Sequence, residues 1–234
     1  MKHFLVISLY KRVDYFQSKI FFFSTLNKFS FTRSFQKLLI RNFCSKLASV
    51  RTVLEQNKNV FLSGRFFAFS TDDLLNLVLN FGTSINVTDV NSFFLSKKGG
   101  VCLFFDVPTI YFQSIQCLWN FSVLPIIEAY SDRYSFGFRP FRVCKDLFCE
   151  LKNFVSRKNL FYWSLNTKVS LLSSLSQNKW LFKNFPVEKK FFRSWLYKVS
   201  YSPLSFFSSQ SVYKDFISIS YTLINFSLNG LVRF

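Results

Sequence analysis

Apolar positions along this chain repeat with periods that sort it into helices and strands. From Thr32 to Gln56, Phe35, Leu39, Phe43, Leu47, Val50 and Leu54 recur at three- and four-residue steps, the spacing of one helix face. Arg33, Lys37 and Arg41 share another face, four residues apart, and Lys46 and Arg51 add charge nearby. A second helix opens at Ser70-Thr-Asp-Asp-Leu-Leu. Ser70 or Thr71 can cap it, Asp72 and Asp73 suit its positive end, and Gly82 marks its stop. Phe93-Phe-Leu-Ser and Val101-Cys-Leu-Phe-Phe read as two strands around the basic turn Lys97-Lys-Gly-Gly100. Cys144, Leu147, Phe148, Leu151, Phe154 and Val155 make the apolar side of a helix over Val143 to Val155. Phe191 to Val199 predicts another, with Trp195 inward.

The run Val107 to Ile127 carries no charge and is about as long as a bilayer is thick. Pro108, Pro125, Gln113, Gln116 and Asn120 make it too polar and too broken for a lipid-facing helix. Ile115, Leu118, Trp119, Ser122 and Val123 are spaced for a buried helix in a soluble core, so a membrane span is disfavoured. Met1 to Tyr10 begins apolar but runs into Lys11, Arg12 and Asp14, without the small-residue cleavage region of a signal peptide.

Composition adds a direction. Half of the 234 residues are apolar, enough to bury a sizeable core. Phe occurs 35 times, against six Gly and five Pro. Phe, Lys, Asn and Ile have AT-rich codons, which points to an AT-rich organelle genome. Many Phe residues are then simply large fillers. The formal net charge of +18 attracts polyanions, either nucleic acid or an anionic membrane surface, and nucleic acid is the better match. The cysteines are Cys44, Cys102, Cys117, Cys144 and Cys149, with no Cys-x-x-Cys, and the single His is His3. Neither a zinc site nor an activated thiol has its partners, so free thiols in a reduced compartment are expected, with no metal and no cofactor.

The chain reads Leu124-Pro-Ile-Ile-Glu-Ala-Tyr-Ser-Asp-Arg-Tyr-Ser-Phe-Gly-Phe-Arg-Pro-Phe-Arg-Val-Cys-Lys-Asp-Leu147. This block resembles a signature of the group II intron maturases, a family of reverse-transcriptase-like proteins: a Leu-x-Pro-x-x-Glu helix followed by Ser-Tyr-Gly-Phe-Arg-Pro-x-Arg. Phe35 to Lys58 resembles its N-terminal helices, departing at Asn59 where the family has Gly. Lys97, Gly100 and Val107-Pro-Thr-Ile110 follow its fingers hairpin, and the tail Ile219 to Leu231 its Leu-Asn-Gly-Leu ending. The resemblance implies an α+β chain: an N-terminal extension at 1–28, a helical domain at 29–90, and a partial right-hand fingers/palm domain at 91–234.

The catalytic parts do not follow. Polymerisation needs carboxylates to hold two divalent ions. The position of the family's first metal-binding Asp falls on Asn166 or Thr167, and no Asp or Glu occurs from Leu151 to Val187. The second motif would lie beyond Phe234. The fingers Arg aligns with Leu103, and the family's Asp-Arg is Phe112-Gln113. The chain is therefore expected to be no enzyme. It is expected to bind structured RNA, in the first place group II intron RNA, and to assist splicing in the plastid stroma rather than the mitochondrial matrix. The expected RNA-binding residues are Arg33, Lys37, Arg41, Lys46, Arg51, Lys58, Lys97, Lys98, Arg139, Arg142 and Lys145. For Arg139 and Arg142, phosphate contact and packing of the Phe136-Gly-Phe-Arg-Pro turn both stand. For Lys97 and Lys98, so do RNA contact and plain solvation. The competing assignments are a non-catalytic subunit or decaying fragment, completed by a separate C-terminal half, or a small basic membrane protein.

Overall fold

The helical periodicity after Thr32 does not run unbroken to Gln56, because Asn42 interrupts it. Asn42 is extended, with φ −68° and ψ 127°, and closes α2 (Phe29–Arg41). Its carbonyl accepts the Lys46 N–H and its side-chain Oδ1 accepts the Cys44 N–H at 2.8 Å. Asn42 is thus the N-cap of α3 (Phe43–Gln56). Of the expected stripe, Leu39 and Val50 are buried and Phe35, Leu47 and Leu54 half-buried, while Phe43, at the break, is exposed.

The structure is a computed structural model that describes residues 2–56, 71–79, 81, 90–96, 102–108, 110–137, 139–140, 142–157, 179–193 and 218–228. Contacts divide the chain into two units, Met1–Ala129 with Tyr201–Ile219, and Tyr130–Ser200 with Ser220–Phe234. In the first unit, α1 (Lys2–Thr25) packs along α2 and α3, and α3 also meets α4 (Thr71–Leu79). Val13, Ile20 and Ser24 of α1 are buried, and Tyr10 shares a hydrogen bond with Thr52 of α3 at 3.2 Å. The inward face of α3 is small (Ser45, Ala48, Ser49), which lets neighbouring helices come close. The turn into α2 is a Schellman motif: Lys28 N–H donates to the Phe23 carbonyl and Asn27 N–H to the Ser24 carbonyl. Asn27 takes the left-handed φ of 56° that the motif requires, as Asn readily does.

The strands β1 (Val90–Ser96) and β2 (Cys102–Pro108) pair antiparallel, in register from Val90 with Pro108 to Ser96 with Cys102. They lead to α5 (Ile110–Tyr130), whose buried residues run from Gln113 to Ile127. Pro125 sits inside this helix and has no N–H to give the Phe121 carbonyl four residues back. The side chain of Gln17, on α1, supplies the donor: its Nε2 reaches the Phe121 carbonyl at 3.0 Å. Gln36 of α2 reaches the next carbonyl, Ser122, at 3.4 Å. Among the described residues α5 is the one helix long and apolar enough to cross a membrane, and two thirds of its most apolar window is buried in the protein.

The second unit holds α6 (Cys144–Arg157), α7 (Lys179–Asn184), a helical stretch at 189–193 and most of α8 (Ser218–Leu228). Its core is aromatic. Phe185 stacks on Phe192 at 4.8 Å and meets Phe226 edge-on at 5.3 Å, with Leu181 and Leu223 buried nearby in sequence.

The expectation of an α+β chain, with a helical N-terminal domain leading into a partial right-hand fingers/palm, is overturned. Apart from the paired strands β1 and β2, the regular elements among the described residues are helices, and no further strand among those residues joins the pair. The physical reason lies in the local pattern. α6, which falls in the segment assigned to the palm, repeats its apolar residues at three- and four-residue steps and not with the two-residue alternation that a half-buried sheet needs.

Candidate nucleic-acid interface

On α2 the buried residues are Thr32, Gln36 and Leu39, so that side faces the protein. One hundred degrees per residue then carries Arg33, Lys37 and Arg41 to the opposite, exposed side. The three cations follow one another at four-residue steps, spanning roughly 12 Å of helix. None of them has an ion-pair partner, whereas Arg51 pairs with Glu55. Lys28, at the start of the helix, is also exposed. Leaving cations unpaired on one face, rather than matching them with Asp or Glu, builds a local positive field.

The other basic residues expected to bind are differently placed. Lys46 is half-buried and donates its ammonium to the Phe81 carbonyl at 3.2 Å. Arg51 donates Nε to Glu55 Oε1 at 2.8 Å within α3. Lys58, Lys97 and Lys98 lie outside the described residues.

In the second unit, Arg139 is 9% exposed and its Nη1 donates to the carbonyls of Asp132 and Ser135, at 2.7 and 2.8 Å. Arg142 donates Nη1 to the Arg133 carbonyl at 2.9 Å and lies 5.0 Å from the Phe136 ring centre. These guanidiniums brace the 132–142 turn, the packing side of the two alternatives. Asn225 ties the same turn to α8 through the Gly137 carbonyl at 2.8 Å. Gly137 itself has no left-handed φ, and a Cβ there would meet nothing, so the turn does not depend on its being glycine. The N-terminus of α6 is capped from within. Asp146 Oδ2 accepts the Val143 N–H at 3.0 Å, and Asp146 N–H donates to the Val143 carbonyl. Lys145 is exposed beside it.

What the basic residues alone did not disclose is which aromatics are open. Tyr15, Phe21 and Phe22 on α1 and Phe29 and Phe31 on α2 are all exposed. The signal in the sequence was present but saturated: with 35 Phe in the chain, no Phe stands out. Among the described residues no group of His, Cys, Asp and Glu is placed to hold a metal ion. No protein-family model matches the chain, and no curated protein matches it.

Proposed function

We propose that this protein binds structured RNA through the exposed basic side of α2, and that it does so without polymerising nucleotides. The observation that carries the assignment is the unpaired stripe of Arg33, Lys37 and Arg41 on a chain of net charge +18. Such a stripe can neutralise successive phosphates and release their counterions. The choice of intron RNA, with assistance to splicing inside a plastid, is supported by the maturase-like wording of Phe35 to Lys58, which includes most of this helix, and of Leu124 to Leu147. It does not draw on a palm sheet. Absence of polymerase chemistry is supported by the 37 consecutive positions from Leu151 to Val187 that hold no carboxylate.

The test is binding of the full chain to a folded group II intron RNA across a salt series, with and without Arg33→Gln, Lys37→Gln and Arg41→Gln together. Three phosphate contacts predict that the triple variant lowers the slope of log K against log salt by about two to three units. An unchanged slope would remove α2 from the interface.

A further inference from the structure

Resting on the assignment of α2 as an RNA-binding face, we infer that the RNA it takes there is unpaired, with one base stacked on Phe31. Three phenyl rings form a row across α1 and α2. Phe23 lies 5.3 Å from Phe31 at an interplanar angle of 20°, and 5.3 Å from Phe35 at 21°. Phe35 and Phe23 are half-buried, whereas Phe31, at the end of the row, is 53% exposed. The row thus ends in an open ring whose tilt is fixed by the two behind it. An unpaired base continues such a row as a fourth ring, since every base has a π-face.

Phe31 and the cations occupy two edges of the same exposed side. By helical rotation, Phe31 sits roughly 80 to 160° around the axis from Arg41, Lys37 and Arg33. Ser30 and Ser34 lie between them, and both are exposed. A single strand crossing the helix over these serines can lay phosphates against the guanidiniums and turn one base onto Phe31. A duplex can use only the cations, because its bases are already stacked inside. An anionic lipid surface is the other polyanion that could meet cations and open aromatics together. An interfacial helix, however, buries one broad apolar face with its cations on the opposite side. On α2 Ser30 and Ser34 lie with Lys37 and Arg41 at the centre of the exposed side, and they separate Phe29 on one flank from Phe31 and Leu38 on the other.

The experiment uses the full chain and two fluorescent RNAs of about 12 nucleotides, one single-stranded and one duplex. Binding is followed by anisotropy across salt concentrations, for the wild type, Phe31→Ala and Phe31→Trp. Phe31→Ala should weaken single-strand binding by about 5- to 100-fold, with the salt slope unchanged and duplex affinity within about twofold. Phe31→Trp should keep or tighten single-strand binding, which separates stacking from a folding defect. If Phe31→Ala and wild type bind single strands equally, the stacking site is refuted while the basic face stands. If the wild type binds neither RNA, the RNA-binding assignment itself fails. If Phe31→Ala instead abolishes binding to phosphatidylglycerol vesicles and leaves RNA binding unchanged, the occupant is a lipid surface and not RNA.

Discussion

Gln17 and Pro125 are 108 positions apart in the sequence, yet their effects on stability should not add. Pro125 removes one donor from the α5 ladder and leaves the Phe121 carbonyl without its helical partner. Gln17 replaces that donor from α1 at 3.0 Å. An intramolecular hydrogen bond contributes about 1 kcal/mol net, and a buried carbonyl left unpaired costs about 1–3 kcal/mol. Gln17 and Phe121 are each only half-buried, which places Gln17→Met toward the low end, at about 1–2 kcal/mol of destabilisation. In a Pro125→Ala background the Ala N–H stands four residues after Phe121 and can close the ladder itself. Gln17→Met should then cost less than about 0.5 kcal/mol, giving an interaction energy near 1 kcal/mol in the double-mutant cycle. Urea unfolding followed by far-UV circular dichroism measures all four corners. For a chain of this length each kcal/mol also moves Tm by about 2–4 °C. Equal costs of Gln17→Met in both backgrounds would show that Gln17 acts by packing alone, and the account of the proline's missing donor would be wrong.

Asn42→Ala removes the side-chain cap of α3 and should cost about 1 kcal/mol, read from the shift of the same urea midpoint; Asn42→Asp, which keeps an acceptor, should recover most of it. Arg139→Gln should destabilise by about 2–3 kcal/mol, because it removes a buried charged donor from two carbonyls, whereas Arg33→Gln should leave the midpoint in place while weakening RNA binding. Burial pushes the Cys117 thiol up to about 12, so in the native protein Cys149 should react with a thiol reagent at neutral pH while Cys117 does so only on unfolding. The sign for stability follows from the same shift. The unfolded thiol ionises first, near 9, so the folded state is favoured below that pH. It loses up to about 1.4 kcal/mol per pH unit between about 9 and 12. The difference in stability between wild type and Cys117→Ala should therefore narrow as pH rises through this window, and a constant difference would contradict a buried thiol.

The helices α2 and α3 were legible from period alone, but the boundary between them was not. An apolar repeat continues in register through Asn42, and only the competition of its side chain for the Cys44 N–H ends one helix and begins the next. The long α1 was missed because Lys11, Arg12, Asp14, Gln17 and Ser18 interrupt its apolar residues; only Val13, Ile20 and Ser24 of its described residues are buried. The palm was misread for a different reason. The palm sheet came from the resemblance alone, while α6 had a helical period in plain view. The partners of the buried glutamines lay beyond any local reading, since they come from helices more than 80 positions away.

The division among the cations matters most for function. Sequence counts 30 Lys and Arg against 12 Asp and Glu, and treats each as equally available. The structure separates them by what their donors already meet. Lys46, Arg139 and Arg142 point theirs at backbone carbonyls, and Arg51 at a carboxylate. A phosphate can use only the N–H donors that these bonds leave over, on side chains whose positions are already held, and Arg139 is itself buried. Arg33, Lys37 and Arg41 have no such bond to lose, so they can meet a phosphate at the cost of side-chain freedom and water alone. The arginines of the Phe-Arg-Pro-Phe-Arg motif therefore mark how the 132–142 turn is held, while the stripe on α2, less distinctive as a motif, is where a polyanion meets the least resistance.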